Sequence, residues 1–317
     1  MLRLGPRKTL LRKDGDVPTP PPDLAPDDFP ALQRSASQQA ARAQRSFLLW
    51  SKIRLGGIVL AAVGGAIGWK AGHLHVGGII AVVAFGGALG AELLMAIQRP
   101  DRIWYEGRAA AESAKTLGWR YMMRGESFES DVTDVDARFL AEIADLLRDL
   151  GDLPVHVSSG SDCQISAKMR HVRTLPFEDR RSIYLSQRIQ KQECWYAMKA
   201  AWNAKRADFW VVTTVALEFL GLFGGIVKAV GWVDVDLLGI FAAAAAGTTA
   251  WLQAKQHQNL ATAYALTSQE LAAVASELEA VDETNWAQFV THAEEAISRE
   301  HTLWRSSRGV RTGPRTD

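Results

Sequence analysis

Four stretches of the chain are apolar over almost the length of a membrane span, and polar segments separate them. The stretches cover residues 55–69, 76–97, 209–227 and 237–254. A bilayer core about 30 Å thick requires roughly 20 helical residues. The first stretch reaches this length only when Trp50, Ile53 and the cations beside it, whose long side chains can extend to the interface, are included. The pattern therefore predicts an all-α integral membrane protein with four transmembrane helices.

Short loops join these stretches in pairs, which predicts two helical hairpins. The loops cover residues 71–75 and 228–236 and hold few cations. Most lysines and arginines near the spans lie on the other side, at Arg42, Arg45, Lys52, Arg54, Arg99, Arg102, Arg108, Lys199, Lys205, Arg206 and Lys255. Positive charge accumulates on the cytosolic side of a membrane protein. We therefore expect a multi-pass protein of the cell (inner) membrane, with both termini and long polar helices in the cytosol and both loops outside.

Glycines recur inside the spans at spacings that let two helices approach closely. The candidate packing glycines share a four-residue spacing: Gly64, Gly68, Gly86, Gly90, Gly221 and Gly225. In a water-soluble helix each would cost up to about 1 kcal/mol relative to alanine. The glycines thus argue against the alternative, in which the four helices are buried in a large soluble bundle.

Two acidic residues lie within the predicted spans. Glu92 is near the cytosolic end of its helix, where reaching water or an arginine is a simpler role than lining a pore. Glu218 lies about 13 Å into the third span at 1.5 Å per residue, on one face with Thr214 and two glycines. Thr248 and Thr249 of the fourth span reach a similar depth and can donate hydrogen bonds to it. Glu218 is therefore either a hydrogen-bonded structural acid or part of a pore or proton pathway.

Long polar helices continue beyond each hairpin. Residues 102–124 lack proline, and residues 182–206 lack proline and glycine; residues 133–150 form a shorter amphipathic pattern. Two more apolar stripes follow the fourth span, the first at heptad spacing and the second on a helix capped by Asp282. Their members are Tyr264, Leu271, Val274, Leu278 and Val281, then Trp286, Phe289, Ala293, Ile297 and Trp304. These stripes pack either within one chain or between subunits.

The order polar helix, hairpin and long polar helix occurs twice with a period near 160 residues, which indicates duplication. We therefore divide the chain into two two-span domains, residues 31–128 and 179–305. Residues 129–178 between them are expected to hold the amphipathic helix and an irregular linker. The Pro- and Asp-rich residues 1–30 and the C-terminal residues 306–317 are expected to be disordered tails.

The sequence lacks the patterns of catalytic and metal sites. There is no phosphate-binding loop, dinucleotide fingerprint, HExxH pair, paired CxxC or GxSxG motif. The polar run 158–162, near His156 and His171, is typical of a turn rather than of a nucleophile site. Cys163 and Cys194 lie in segments expected to be cytosolic, where thiols stay reduced. With a formal net charge of +1, nucleic acid is not an expected partner, and we predict no catalytic residue, metal or cofactor.

Aromatic and basic residues at helical spacing follow the first hairpin and precede the second. The segment RPDRIWYEGRAAAESAK at residues 99–115 resembles the segment after the hairpin in SLATT domains, and residues 180–200 look like a second copy. SLATT domains are two-transmembrane effector modules associated with SMODS nucleotide cyclases and SLOG sensors in prokaryotic conflict systems. The resemblance covers residues 32–283. It is carried by Trp104, Tyr105, Arg108, Glu112, Lys115, Trp119, Arg188, Gln192, Trp195, Tyr196 and Lys199.

The resemblance implies a non-enzymatic membrane effector of antiviral defence that perturbs or perforates the lipid bilayer. On this basis we expect a homo-oligomer that forms or opens a pore. The alternative is a non-conducting membrane scaffold or anchor whose helices bind a cytosolic partner. The chain departs from the family's fused arrangements because it carries no cyclase or sensor sequence. We therefore expect the trigger to come from a separate nucleotide-signal sensor or cyclase.

Overall fold

The computed structural model describes residues 23–67, 70–149 and 163–306. Ten α-helices occur in this part of the chain: Ala31–Ala66 (α1), Val76–Gln98 (α2), Pro100–Met123 (α3), Val135–Asp149 (α4), Ala167–Thr174 (α5), Phe177–Ile183 (α6), Lys191–Ala229 (α7), Leu237–Lys255 (α8), His257–Leu278 (α9) and Trp286–Ser306 (α10). A 3₁₀ turn, Pro26–Asp28, precedes α1, and a π-helix, Tyr184–Gln190, joins α6 to α7. The expected helical fold is confirmed, with one small exception. The first hairpin tip is a two-stranded antiparallel sheet, Lys70–Ala71 (β1) and Leu74–His75 (β2).

Four helical stretches are long and apolar enough to cross a bilayer, as judged by length and composition. They contain the second, third and fourth predicted spans in full, whereas the first helix ends at Ala66 and residues 68–69 of the predicted span lie outside the described part. We call their apolar parts, residues 55–66, 76–97, 209–227 and 237–254, the apolar layer. Few residues of these stretches are buried within the chain. Large apolar side chains such as Val82, Phe219 and Phe223 are instead more than half exposed. Such a continuous exposed apolar surface is suited to lipid rather than to water.

The apolar layer is an open row of helices. Helix α2 packs on α1, α1 on α8, and α8 on α7. The contact between the two hairpins includes Val59 of α1, whose Cγ2 lies 3.2 Å from the position of a β-carbon at Gly247 of α8. The row order α2, α1, α8, α7 places the first hairpin beside the second, with α2 and α7 at the two ends.

The two hairpins are connected to the rest of the chain in the same way. Helix α1 and the continuous rod formed by α6, the π-helix and α7 enter the apolar layer without a break. On the return side, a single left-handed residue joins span and polar helix: Arg99 between α2 and α3, with φ 42°, and Gln256 between α8 and α9, with φ 51°. The repeated order of elements that the sequence predicts is therefore present in the fold.

Apart from the hairpin tips, the remaining described residues, 23–54, 98–149, 163–208 and 255–306, form what we call the polar head. Its core is rich in aromatic residues and includes Trp119, Tyr121, Tyr184, Tyr196 and Trp286.

The heptad stripe of α9 packs into this core, and Leu271 and Leu278 are 2% and 0% exposed. Both belong to the core that α9 shares with α7 and the π-helix. The α9 stripe therefore packs within one chain, which is one of the two arrangements that the sequence left open. Polar substitutions at these two leucines are therefore expected to unfold the head rather than to dissociate subunits.

The segment before α1 is not a free tail over its described part. Phe29 is buried, and its ring lies 5.7 Å from that of Trp119. The backbone N–H of Leu24 donates to the Gln187 side chain at 2.8 Å, and the Ser166 hydroxyl donates to the carbonyl of Asp28 at 2.7 Å. The prediction of disorder was wrong for residues 23–30 because two or three anchored side chains give no periodic signal. Residues 1–22 lie outside the described part of the chain.

The segment predicted as an irregular linker contains a helix, α5. Ser166 caps it, since its hydroxyl accepts a hydrogen bond from Met169 N at 3.0 Å, and Met169 and Val172 are buried. Residues 150–162, with His156 and the polar run 158–162, lie outside the described residues. The amphipathic helix before them is α4, and its Phe139 and Ile143 are buried as expected.

The last helix begins close to where the sequence predicts. Asp282 Oδ1 accepts a hydrogen bond from Asn285 N at 3.0 Å, and α10 starts at the next residue, Trp286. The described stripe of Trp286, Ala293 and Ile297 is buried in the head. The side chain of Trp304 and residues 307–317 lie outside the described part.

Candidate functional site

Close backbone contacts between α1 and α2 are made by a specific set of glycines. Gly64 faces α2, where an added β-carbon would lie 2.8 Å from Gly77 O, and one at Gly57 would lie 2.8 Å from Ala84 O. A β-carbon at Gly77 would collide with the carbonyl oxygens of Gly64 and Ile67. Gly57 and Gly77 are not among the packing glycines predicted from the sequence, because neither belongs to the four-residue spacings on which that prediction rests. Gly68 lies outside the described residues.

Gly86 and Gly90 of α2 point away from the hairpin contact. Among the described residues, no atom beyond the neighbouring backbone of α2 itself lies within 4 Å of an added β-carbon at either position. In the second hairpin, by contrast, Gly221 faces Phe241 Cβ at 3.3 Å and Gly225 faces Leu238 Cδ2 at 3.5 Å. Gly86 and Gly90 therefore take no part in the helix packing seen among the described residues.

Glu92 is paired with a cation of the neighbouring helix. Its Oε2 lies 2.5 Å from Nη1 of Arg54, and both side chains are partly exposed. This is the arrangement expected of an interfacial carboxylate that reaches an arginine. The pair joins α1 and α2 at the boundary between the apolar layer and the polar head.

Glu218 lies on the outer surface of the apolar layer and not in the α7–α8 contact. The expected hydrogen bonds from Thr248 and Thr249 are not formed: Thr248 Oγ1 lies 2.8 Å from Thr214 Oγ1, and Thr249 donates to Ala245 O at 3.0 Å. Helix α7 turns its glycines and Thr214 toward α8, which leaves the carboxylate beside the contact. There it borders a shallow groove formed by Ala242, Ala245, Ala246, Thr249, Ala250 and Gln253.

Cations and tryptophans mark the boundary of the apolar layer. The Lys52 and Lys255 ammonium groups lie 5.9 Å and 5.3 Å from the ring of Trp251. The Lys199 ammonium and the Arg206 guanidinium lie 5.6 Å and 5.4 Å from Trp202. Such pairs are typical of the interface between membrane and water, and those at Trp251 join the first hairpin to the second.

A fully buried ion pair lies in the core of the polar head. Arg188 donates to Glu294 from Nε to Oε1 at 2.8 Å and from Nη2 to Oε2 at 2.6 Å, and the side chains are 1% and 0% exposed. The carboxylate accepts two further hydrogen bonds from hydroxyl groups. Tyr184 donates to Oε1 and Thr116 to Oε2, each at 3.0 Å. The π-helix presents both Tyr184 and Arg188 to this point. The network thus joins α3, the π-helix and α10.

The electrostatics of this network favour its charged form. Burial alone would lower the pKa of Arg188, but the carboxylate of Glu294 outweighs burial, and the pKa is raised. Burial and the Glu294 carboxylate together raise the pKa of Tyr184 well above its ordinary value, so the phenol remains a donor. The guanidinium of Arg188 therefore stays charged in the core at physiological pH.

Seven of the eleven residues that carry the family resemblance converge on one cavity of the polar head. It is lined by the amino-terminal half of α1, by α3, by the π-helix with the start of α7, and by the segment before α1. The seven residues are Trp104, Arg108, Glu112, Lys115, Trp119, Gln192 and Trp195. A shared cavity could not be predicted from the sequence, because these side chains come from segments about 80 residues apart.

The other four residues of the resemblance are structural neighbours of this cavity. Tyr105 stacks on Trp104 with ring centroids 4.8 Å apart, and Tyr196 packs on Tyr264 at 5.4 Å. Arg188 belongs to the buried ion pair, and the Lys199 ammonium lies 5.8 Å from the Trp195 ring. Tyr105, Arg188 and Tyr196 are buried in the polar head, whereas Lys199 is exposed.

Three residues of the network escaped the sequence analysis: Thr116, Tyr184 as a hydrogen-bond donor, and above all Glu294. Glu294 is 106 positions from Arg188 and lies within a polar helix, where an acid usually faces water. One signal was available, since Glu294 falls on the same helical face as Val290 and Ile297. An acid within an apolar stripe is a candidate for a buried pair.

Four apolar helices in two hairpins, attached to a helical polar head, define a multi-pass membrane protein. Comparison with known families identifies it further. The family model described as SMODS and SLOG-associating 2TM effector domain 3 matches residues 30–181, and the one described as SMODS and SLOG-associating 2TM effector domain 1 matches residues 184–304. The chain is thus a tandem SLATT protein, built of two such effector domains. Searches of curated proteins and of solved structures found no match.

Proposed function

We propose that this protein is a membrane effector of a prokaryotic antiviral defence system that oligomerises and opens a pore. The effector role rests on the two SLATT domains. The inference of a pore is based on the surface of the apolar layer around Glu218. In this proposal the polar head and both termini lie in the cytosol of an inner-membrane protein, and the trigger is a signal from a separate sensor or cyclase.

The position of Glu218 is the observation that carries the proposal. A carboxylic acid facing lipid at mid-span costs about 2.5–3.5 kcal/mol on insertion scales. The groove beside it adds two polar side chains, Thr249 and Gln253, to the same surface. Ionisable residues in membrane segments face a protein interior or a water-filled cavity. An assembly that turns this surface inward removes the cost and supplies a polar lumen.

The open row of helices supports assembly through its free surfaces. A row has two outer ends and two faces that a single chain leaves uncovered, and the Gly86 and Gly90 surface of α2 lies on one of them. Small residues there allow close approach of a helix from a second chain. The surface of α7 and α8 that carries Glu218 is then free to face the lumen.

Glu218→Gln is expected to lower ion flux or cation preference severalfold in protein-containing liposomes. The amide is nearly isosteric but removes the charge that would attract cations in a lumen. Flux is measured by dye release or by single-channel recording, and oligomer mass in detergent is compared in parallel. Glu277→Gln, the same change at an exposed position of α9, is the matched control and should conduct like the wild type.

Two outcomes would contradict the pore. Equal flux from wild type and Glu218→Gln would remove this residue from the conducting path. No flux from the wild type at any protein density, with or without added nucleotides, would favour the alternative of a non-conducting scaffold or anchor.

The orientation has its own test in the two native thiols. Cys163 and Cys194 are both exposed in the polar head, so a reagent that reaches their side of the membrane will label them. In intact cells an impermeant maleimide is expected to leave both unlabelled, and to label cysteines introduced at His73 or Asp236 in the hairpin tips. After lysis all sites should react. Labelling of Cys163 in intact cells would overturn the proposed orientation.

A further inference from the structure

The cavity of the polar head is large enough for a small molecule. Its volume is about 540 Å³, within the range of about 300–1,000 Å³ typical of ligand sites. Helices α1 and α3 of the first SLATT domain form one part of the wall, and the π-helix and α7 of the second form the other. A molecule bound there would contact both domains.

Positive charge predominates on the cavity wall. Arg108, Lys115 and Lys191 line it, and Glu112 is the single acidic residue among the lining residues. Lys191 is paired with Asp23 at 2.9 Å, so the net positive charge lies on the side of Arg108 and Lys115. Burial and the nearby Arg188 guanidinium lower the pKa of Lys115, although Glu112 and Glu294 oppose this effect. A lowered lysine pKa means that the folded head is less stable with this ammonium than with a neutral side chain. Residues that reduce stability are frequent at functional sites.

Aromatic surface faces the same cavity from two sides. Trp104 projects from α3 and Trp195 from α7, and both rings are only partly buried. Tryptophans of this kind stack on planar rings. They also suit a quaternary ammonium ion, but the surplus of positive charge on the wall disfavours a cationic occupant.

The cavity lining includes buried polar atoms that have no hydrogen-bond partner among the described residues. Among them are Nε1 of Trp119, whose side chain belongs to the core, and Oε1 of Gln33. A buried donor or acceptor without a partner is unusual in a folded protein and requires an explanation. An occupant with both donors and acceptors would provide one.

We infer that this cavity binds a small anion that carries a planar ring, of the nucleoside-phosphate class. The phosphate is placed against Lys115 and Arg108, and the ring against Trp104 or Trp195. The inference goes beyond the proposed function and does not depend on conduction, because binding is measured without any flux.

Calorimetry on the full chain in phosphatidylcholine nanodiscs tests the inference with three probes. AMP carries both ring and phosphate, adenosine only the ring, and ribose 5-phosphate only the phosphate. AMP is expected to bind at least tenfold more tightly than either of the others. Lys115→Gln should weaken AMP about tenfold and leave adenosine unchanged, since one charge-assisted contact is lost.

Two further variants separate binding from folding. Arg138→Gln removes one positive charge from the exposed surface of α4 and should leave AMP binding unchanged. Arg108→Gln removes the other cation placed against the phosphate, at a partly exposed side chain, and should weaken AMP as Lys115→Gln does. It keeps the test valid even if Lys115→Gln fails to fold.

Three results would overturn the inference. The first is the absence of AMP binding at millimolar concentration, and the second is equal binding of AMP and ribose 5-phosphate, which would mean that no ring is recognised. The third is loss of AMP binding when phosphatidylglycerol replaces phosphatidylcholine in the nanodiscs. That result would assign the anion site to a lipid headgroup.

Discussion

Glu294→Gln is expected to destabilise the polar head by about 3–5 kcal/mol, the range for breaking a buried ion pair by removing one partner. The substitution leaves the guanidinium of Arg188 in the core without a countercharge, and it weakens the acceptor of two hydroxyl groups. Denaturant unfolding of the full chain in detergent, followed by near-ultraviolet circular dichroism, measures the loss. A shift of this size is comparable to half the stability of an ordinary domain.

Two comparisons make the result specific. Glu295→Gln changes the next residue of α10, which is exposed, and should be neutral within about 0.5 kcal/mol. The double variant Arg188→Met with Glu294→Leu should be more stable than Glu294→Leu alone, because no unpaired charge remains. If Glu294→Gln unfolds at the same denaturant concentration as the wild type, the ion pair does not stabilise the head.

Gly77→Val is expected to disrupt the first hairpin. A β-carbon there collides with the carbonyl oxygens of Gly64 and Ile67, so α2 must move away from α1 and lose its packing contacts. Overpacking of a tight contact costs about 1–3 kcal/mol, and the backbone atoms involved here cannot rotate aside. Unfolding by dodecyl sulfate in mixed micelles measures the change.

Gly78→Val provides the control at the adjacent position of the same helical turn. An added β-carbon at Gly78 meets only the Cβ of His75, at an ordinary 3.6 Å. The two variants have the same composition, so a difference between them reports the α1–α2 contact alone. Equal stability of both would show that α1 and α2 do not approach as closely at Gly77 as the structure indicates.

The spans were predictable because the pattern that specifies them is local. A helix that crosses a bilayer must be apolar over about 20 residues, and the boundaries at Val76 and Leu237 coincide with the predicted ones. The glycine spacing was less informative, because GxxxG gives the period of a face but not the direction in which that face points. Gly64 faces α2, whereas Gly86 and Gly90 with the same spacing face no other helix in the described part of the chain.

The cavity of the polar head, unlike the spans, could not be predicted from local sequence patterns. The family resemblance drew attention to Lys115 and Trp195 separately, but only the fold brings both to one cavity. Glu294, which balances the charge of Arg188, had no local signal strong enough to mark it as buried. Pairings across a hundred residues depend on how helices dock, and periodicity within one helix does not determine docking.

The left-handed residues Arg99 and Gln256 couple the tilt of each returning span to the position of the polar helix that follows it. A single residue joins each returning span to its polar helix, so the joint has no slack to absorb a tilt. Helix α3 has 24 residues and is about 36 Å long at 1.5 Å per residue; a tilt of about 10° at Arg99 would move its far end by about 6 Å. That far end is clamped, because the carbonyl of Met123 accepts hydrogen bonds from Arg180 at 2.8 Å and Trp286 at 2.6 Å. While these two hydrogen bonds to Met123 remain, they restrain α3 and therefore also the tilt of the first hairpin in the bilayer.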